Sequence, residues 1–390
     1  MLFLGFECTG CRRFYPPDLL YCCSSCGASL DAVYNYERWL ASLSAEEWLF
    51  RPGEGVLKYR ELLPLRPSAS PISLGEGNTP LLKIRNISNI MNIENIYIKN
   101  ETVNPTLSFK DRAQAVAVNA AADLGLSDVI CASTGNTGVA AAAYAARAGL
   151  GCLVYVPAGT PEEKLAIIRA FGAELRIVEG NYGDAYEQAA REALGRGAFN
   201  LTSTYLNPYS IEGHKTIAYE IAGAFGGVPD WIVVPIGAGP LLSAIYKGFR
   251  ELRLAGWIDR LPRMAGVQAA GCAPIVKAFE AGDADVAPWD SPRTIASGIA
   301  DPLTTYPADG TRTLRIIRES GGAAIGVDEG DILGFRECLA REEGIVVEAA
   351  SATAMAALVR LKEQGWLDKG QSIVTVATGH GLKDMAVSTI

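Results

Sequence analysis

From Leu74 onward the chain alternates short apolar runs with longer, alanine-rich runs, and this alternation restricts the fold more than any other feature. Ile96–Ile98, Val129–Ala132, Cys152–Val156, Leu175–Val178, Trp231–Ile236, Met264–Val267, Gly344–Val347 and Ser372–Val376 read as buried strands. Between them, Arg112–Leu124, Val139–Ala148, Pro161–Phe171, Asp184–Leu194 and Leu241–Leu252 have helix length. Repeated strand–helix units need crossover connections, so the expected architecture is α/β with open, mostly parallel, twisted sheets. Ahead of this body, Tyr36–Arg60 predicts one or two helices and Arg66-Pro-Ser-Ala-Ser-Pro71 a linker. The 390 residues, 49% hydrophobic, are enough for a sizeable core. A net charge of −8 argues against a nucleic-acid or anionic-membrane partner. No apolar run reaches the roughly 20 residues of a membrane span, so a soluble, cytoplasmic protein is expected.

Five of the nine cysteines fall in the first 26 residues. Cys8-Thr-Gly-Cys11 and Cys23-Ser-Ser-Cys26 are two C-x-x-C turns, each bringing two thiolates together, and a pair of such turns makes the four-thiolate shell of a structural zinc. Gly27 permits the second turn, and Cys22 is either a spare or an alternative ligand. A reduced cluster holding no metal is the other reading of the same residues.

Four further segments carry chemistry. In Asn104-Pro-Thr-Leu-Ser-Phe-Lys110-Asp-Arg112 a lysine stands where a loop enters a helix. Desolvation and a helix N-terminus both disfavour its cation, which suits Schiff-base formation with a carbonyl. Taken alone, a lysine beside Asp111 and Arg112 is an ordinary solvated helix start. Ser133-Thr-Gly-Asn-Thr-Gly138 follows a strand and opens a helix, leaving backbone N–H groups for an anion, or simply capping the helix. Gly237-Ala-Gly239-Pro240-Leu241 is a turn able to cradle a phosphate. It is not a dinucleotide fingerprint, because the third glycine is Leu242. Thr378 ends the last strand, at the edge where parallel sheets bind ligands. Only His214 and His380 are present, with no G-x-S-x-G or H-E-x-x-H, so hydrolase triads and histidine-bound catalytic metals are poorly supported. His214 reads as a surface or core residue.

In this order and spacing the segments resemble fold-type II pyridoxal-phosphate enzymes of the tryptophan-synthase-β-like class, and within it the threonine synthase family. The matching stretches are Glu76-Gly-Asn-Thr-Pro-Leu81, Asn104–Arg112, Ala132–Thr137, Ile211-Glu-Gly-His-Lys-Thr216 and Thr378-Gly-His-Gly-Leu-Lys-Asp384. The resemblance implies that Lys110 carries pyridoxal 5'-phosphate and then acts as general base. It puts Asn136 at the cofactor's ring hydroxyl, Gly237, Ala238, Gly239, Pro240 and Leu241 at its phosphate, and Thr378 at its pyridine nitrogen. Ser133, Thr134, Gly135, Thr137 and Ser210 would meet the substrate. It also implies a homodimer and a cofactor cleft between two domains. The expected division is a zinc-ribbon-like head (1–32), a large cofactor-binding domain (33–104 and 196–390) and a small inserted α/β domain (105–195).

The expected reaction converts O-phospho-L-homoserine and water to L-threonine and phosphate. Two departures keep another open. Where the family commonly has N-P-x-R, with the arginine on the substrate phosphate, this chain has Asn207-Pro-Tyr-Ser210, which removes charge-assisted bonds worth ~1.5–3 kcal/mol. The phosphate loop reads Gly-Ala-Gly-Pro-Leu where the family usually has G-N-A-G-N. Both favour β-elimination or β-replacement on serine, threonine or an O-activated serine. A non-catalytic scaffold would have no need of Lys110.

Overall fold

Trp231–Pro235 is buried along its whole length, as a strand must be when helices cover both faces of its sheet. In a computed structural model, which describes residues 2–41, 44–53, 55–67, 71–160, 162–180 and 182–384, it is an inner strand of a six-stranded sheet. The order across that sheet is Ala323–Val327, Arg263–Ala269, Trp231–Pro235, Ser372–Ala377, Asn95–Asn100, Leu81–Lys83. Neighbours are parallel except for Leu81–Lys83, which runs antiparallel to Asn95–Asn100. Ile96, Val233, Val267, Ile325 and Ile373 form its core with Met355, Leu358 and Leu361 of the helix Ala349–Glu363.

A second, four-stranded parallel sheet is ordered Glu174–Val178, Gly151–Pro157, Asp128–Ala132, Phe199–Asn200. Ala185, Ala189 and Ala193 of the helix Tyr182–Arg196 lie on it; their spacing of four places all three on one helix face. The N-terminal strands Phe14–Tyr15, Phe3–Cys8 and Leu30–Tyr34 make a small antiparallel sheet. The chain divides into two compact units, Met1–Asn78 with Asn104–Thr216 and Thr79–Val103 with Ile217–Ile390. The first holds the four-stranded and the N-terminal sheets, the second the six-stranded one.

The edge strand Phe199–Asn200 pairs with Asp128–Ala132, and the first unit continues to Thr216. The N-terminal sheet packs inside that unit: Phe6 meets the Tyr209 ring edge-on at 4.7 Å, and the Tyr209 hydroxyl donates to the Asp18 carbonyl at 3.0 Å.

One expected strand is corrected. Gly344–Val347 is an extended connection with a single bridge, Val347 to His380; Gly344, in the left-handed region at φ 69°, ends the preceding helix there. The sheet position beside Arg263–Ala269 belongs instead to Ala323–Val327, whose Ala-Ala-Ile-Gly-Val sequence has little of the β-branched character that marks strands. Tyr36–Arg60 forms the short helices Tyr36–Leu40 and Ala45–Phe50, then a 3-10 stretch Gly55–Leu62. A capping box between Ser44 and Glu47 starts the second helix. Residues 68–70 of the expected linker and residue 161 of an expected helix lie outside the described residues. Among those described, no helix is long and apolar enough to cross a membrane.

Candidate active site

Lys110 is the first residue of the helix Lys110–Asp123. The loop before it is tied down at several points. Gly77 N–H donates to Asn104 Oδ1 at 2.9 Å, and both the N–H and the hydroxyl of Thr106 donate to the buried carboxylate of Asp111 at 3.0 Å. Leu107 sits in the left-handed region at φ 63°, where a Cβ-bearing residue is strained by roughly 1–2 kcal/mol. The Lys110 amine donates to Ser203 Oγ and lies 4.5 Å from the centre of the Phe109 ring, which packs tilted against the His214 ring at 4.9 Å. His214 is a buried core residue. Burial, then the charges of Lys110 and Arg112, hold its imidazole well below the ordinary histidine range, so it stays neutral.

The helix Pro208–His214 lies directly against the lysine helix, and Gly213 makes that possible. A Cβ there would stand 2.2 Å from the Arg112 carbonyl oxygen. Gly213→Ala is therefore expected to destabilise the protein by about 1–3 kcal/mol and to shift the start of the lysine helix, measurable by urea unfolding and by loss of turnover. Beyond it, Lys215 and Glu212 form a buried ion pair at 2.7 Å, and Tyr34 of the N-terminal sheet donates to the same Glu212 oxygen at 2.8 Å.

Ser133, Thr134, Gly135 and Asn136 follow the strand Asp128–Ala132, and Asn136 opens the helix Asn136–Ala148 with no side-chain cap. Ser133 and Thr137 are buried, and Gly135 N–H donates to Ser133 Oγ at 3.2 Å. A Cβ on Gly135 would meet nothing within 4 Å, so the loop borders open space. An uncapped helix start beside open space suits an anionic group. In the same unit Glu76 is fully buried, with Oε2 accepting from Tyr144 at 2.8 Å, Leu74 N–H at 3.0 Å and Ser73 at 3.1 Å, and burial pushes its carboxyl above the usual value of 4.5. A carboxyl raised on folding contributes stability below its unfolded value and loses it as pH rises. Glu76→Gln should therefore gain stability relative to the parent between about pH 5 and pH 8, which denaturant unfolding at the two pH values would read.

In the second unit, Gly237–Pro240 and Thr378 leave the C-terminal ends of the adjacent parallel strands Trp231–Pro235 and Ser372–Ala377. Gly239 is left-handed at φ 95°, and a Cβ there would lie 2.3 Å from Thr313 Cγ2. The Gly237 and Ala238 carbonyls accept from Gln268 Nε2 at 3.3 Å and Thr313 Oγ1 at 2.5 Å, which fixes the orientation of the turn. Pro240 then begins the helix Pro240–Leu254, again without a side-chain cap, and Leu241 and Leu242 are in its first turn. A glycine turn at such a helix start suits an anionic group. Thr378 is buried with its hydroxyl 2.8 Å from that of Ser351, which also accepts from Gly379 N–H at 2.9 Å.

The thiols of Cys8, Cys11, Cys23 and Cys26 all lie within 4.8 Å of one another, while Cys22 is exposed and outside the group. Cys8 and Cys26 are 3.4 Å apart and Cys11 and Cys23 3.5 Å, near the roughly 3.8 Å that a tetrahedral zinc imposes on its sulfurs. Backbone N–H groups of Gly10, Cys11 and Ser25 point at the sulfurs, as a thiolate shell requires.

Thus Lys110, Ser133, Asn136 and the cysteines belong to the first unit, Gly237–Leu241 and Thr378 to the second. Ser210, expected at the substrate, is buried with its hydroxyl donating to the Asn207 carbonyl at 2.8 Å. Ser203, Gln268, Thr313 and Ser351 escaped the sequence reading. Ser203 alone had a usable signal, the hydroxyl run Thr202-Ser-Thr204, but its strand is only two residues long.

Residues 72–379 match the pyridoxal-phosphate dependent enzyme family. The threonine synthase of Methanocaldococcus jannaschii is 42% identical over 381 residues, covering 97% of this chain and 92% of that protein. That of Methanosarcina acetivorans is 40% identical, again covering 97% and 92%. Among solved structures, maize serine racemase shares the fold at a TM-score of 0.67 and 20% identity, covering 80% of this chain and 89% of that one. With a family model matching most of the chain and relatives 40–42% identical along nearly all of it, the chain belongs to the pyridoxal-phosphate dependent enzymes, in their threonine synthase family.

Proposed function

We propose that this enzyme converts O-phospho-L-homoserine and water to L-threonine and phosphate, with pyridoxal phosphate held on Lys110. The observation that carries the reading is identity of 42% with a threonine synthase over 97% of the chain, a match that extends into the Cys-rich head. The bound cofactor supplies an electron-withdrawing ring that acidifies the C–H bonds next to the substrate's amino group. Lys110 Nζ would hold the cofactor by its aldehyde and would serve as the base for the substrate Cα proton. Asn136 bonds the ring hydroxyl. The N–H groups of Gly237, Ala238, Gly239 and Leu241, with Pro240 starting the helix, hold the phosphate, and Thr378, oriented by Ser351, faces the ring nitrogen. Ser133, Thr134, Gly135 and Thr137 take the substrate carboxylate at the start of their helix, where the dipole favours an anion. Cys8, Cys11, Cys23 and Cys26 hold one structural zinc, closed to catalysis by its four thiolates. The enzyme works in the cytoplasm as a homodimer, a state that light scattering of the holoenzyme tests.

The Ser210 hydroxyl already donates to its own helix, so it offers no proton to a substrate phosphate. That observation favours a second reading, β-elimination or β-replacement on serine, threonine or an O-activated serine. Turnover of O-phospho-L-homoserine separates the two. Phosphate and threonine released in equal amounts support the first. A keto acid or a β-substituted product from serine or threonine donors, with no threonine from phosphohomoserine, overturns it.

A further inference from the structure

Ser203 receives the N–H of the Lys110 amine, and its surroundings hold it there. It follows the edge strand Phe199–Asn200, which pairs in parallel with Asp128–Ala132, so its turn and the Ser133 loop leave the same sheet side by side. Thr202 Oγ1 accepts the Ala132 N–H at 3.0 Å, one residue before Ser133. Thr202 N–H in turn donates to Asn200 Oδ1 at 2.9 Å, and Asn207 Nδ2 donates to the Asn200 carbonyl at 2.7 Å. From the lysine helix itself, Gln114 Nε2 reaches the Leu201 carbonyl at 3.3 Å. The far side of the turn is pinned by the Cys-rich head. Tyr21 Oη accepts the Asn200 N–H at 2.7 Å and donates to the Ala198 carbonyl at 3.1 Å. Burial pushes the Tyr21 phenol up to about 12, so it stays a donor.

We propose that Ser203 is a further catalytic residue, which takes one N–H of the Lys110 amine and aims its lone pair, and that Tyr21 of the head is the positioning residue for Ser203. A neutral primary amine has two N–H bonds and one lone pair. Giving one N–H to Ser203 restricts rotation about Cε–Nζ and so directs the lone pair, which can then meet the aldehyde carbon or a proton. Loss of that hydrogen bond widens the range of amine orientations, and a reacting atom displaced by about 1 Å can lose 100-fold in rate. The idea rests on Lys110 being the cofactor lysine.

The test uses holoenzyme, stripped and reloaded with pyridoxal phosphate, in the parent and in Ser203→Ala, Ser203→Thr and Tyr21→Phe. Borohydride trapping with mass spectrometry first locates the cofactor on the parent; trapping at a residue other than Lys110 overturns the proposed function and, with it, this idea. With Lys110 labelled, Ser203→Ala is expected to slow covalent reloading and to lower kcat by about 10- to 100-fold, with KM and Tm unchanged. Ser203→Thr should restore most of both, and Tyr21→Phe should move both rates the same way by less. Parent-like reloading and kcat in Ser203→Ala, or a loss spread over KM and Tm that threonine does not rescue, overturns the role of Ser203. Parent-like rates in Tyr21→Phe overturn that of the head.

Discussion

Lys110→Ala is expected to leave no covalently attached cofactor and to lower threonine formation by about 10⁴-fold, the upper range for loss of a positioned general base. The residue begins a helix whose other members are mostly buried, and its own side chain is only half-buried. Alanine keeps the helix start, since it has the best helix propensity of any residue. Unfolding should therefore change by about 0.5 kcal/mol at most, as for an exposed substitution. Absorbance of the purified variant, borohydride trapping and thermal unfolding check the three parts together. Retained attachment in a folded variant would exclude Lys110 as the cofactor lysine.

Loss of the proposed structural zinc is the second large effect. The N-terminal sheet has three strands, one of them two residues long, too little apolar burial to stand without a staple. Structural zinc binds comparable peptides with roughly 10–16 kcal/mol. Cys8→Ser or Cys26→Ser should thus release zinc and loosen the head, lowering the stability of the first unit by about 5 kcal/mol or more. The consequence reaches the site because Phe3, Phe6 and Tyr34 pack on Tyr209 and Glu212 of the helix Pro208–His214. Metal content, Tm and proteolysis at the head are the measurements. Unchanged Tm and turnover after complete chelation would show that the cysteines hold nothing structural.

The parts of this protein that were legible in its sequence are those set by local chemistry. Strands such as Asp128–Ala132 and Trp231–Pro235 announce themselves because parallel strands buried on both faces are continuous apolar runs. The two C-x-x-C turns were readable because a four-thiolate site needs its sulfurs at short, fixed separations along the chain. Lys110, the Ser133–Asn136 loop, the Gly237–Leu241 turn and Thr378 each stand at a helix start or just past a strand end, a position that spacing along the chain already indicates. Gly344–Val347 misled for the converse reason: an apolar run records burial, and burial beside a sheet does not require pairing in it.

What only the tertiary structure decided are the pairings between residues far apart in the chain. Ser203 lies 93 positions from Lys110, Ser351 lies 27 from Thr378, and Glu212 lies 178 from Tyr34. A serine or glutamate has the same local signature whether its partner is an amine, a hydroxyl or water. The same holds for Gly213, whose need to be glycine comes from the carbonyl of Arg112 on another helix. Sequence alone determined the α/β class, the four cysteines and the lysine, since each follows from periodicity or near-neighbour spacing. The partners of that lysine, and its link to the Cys-rich head, were decided by the packing of elements against one another, because hydrogen bonds at 2.7–3.3 Å depend on where distant segments come to rest.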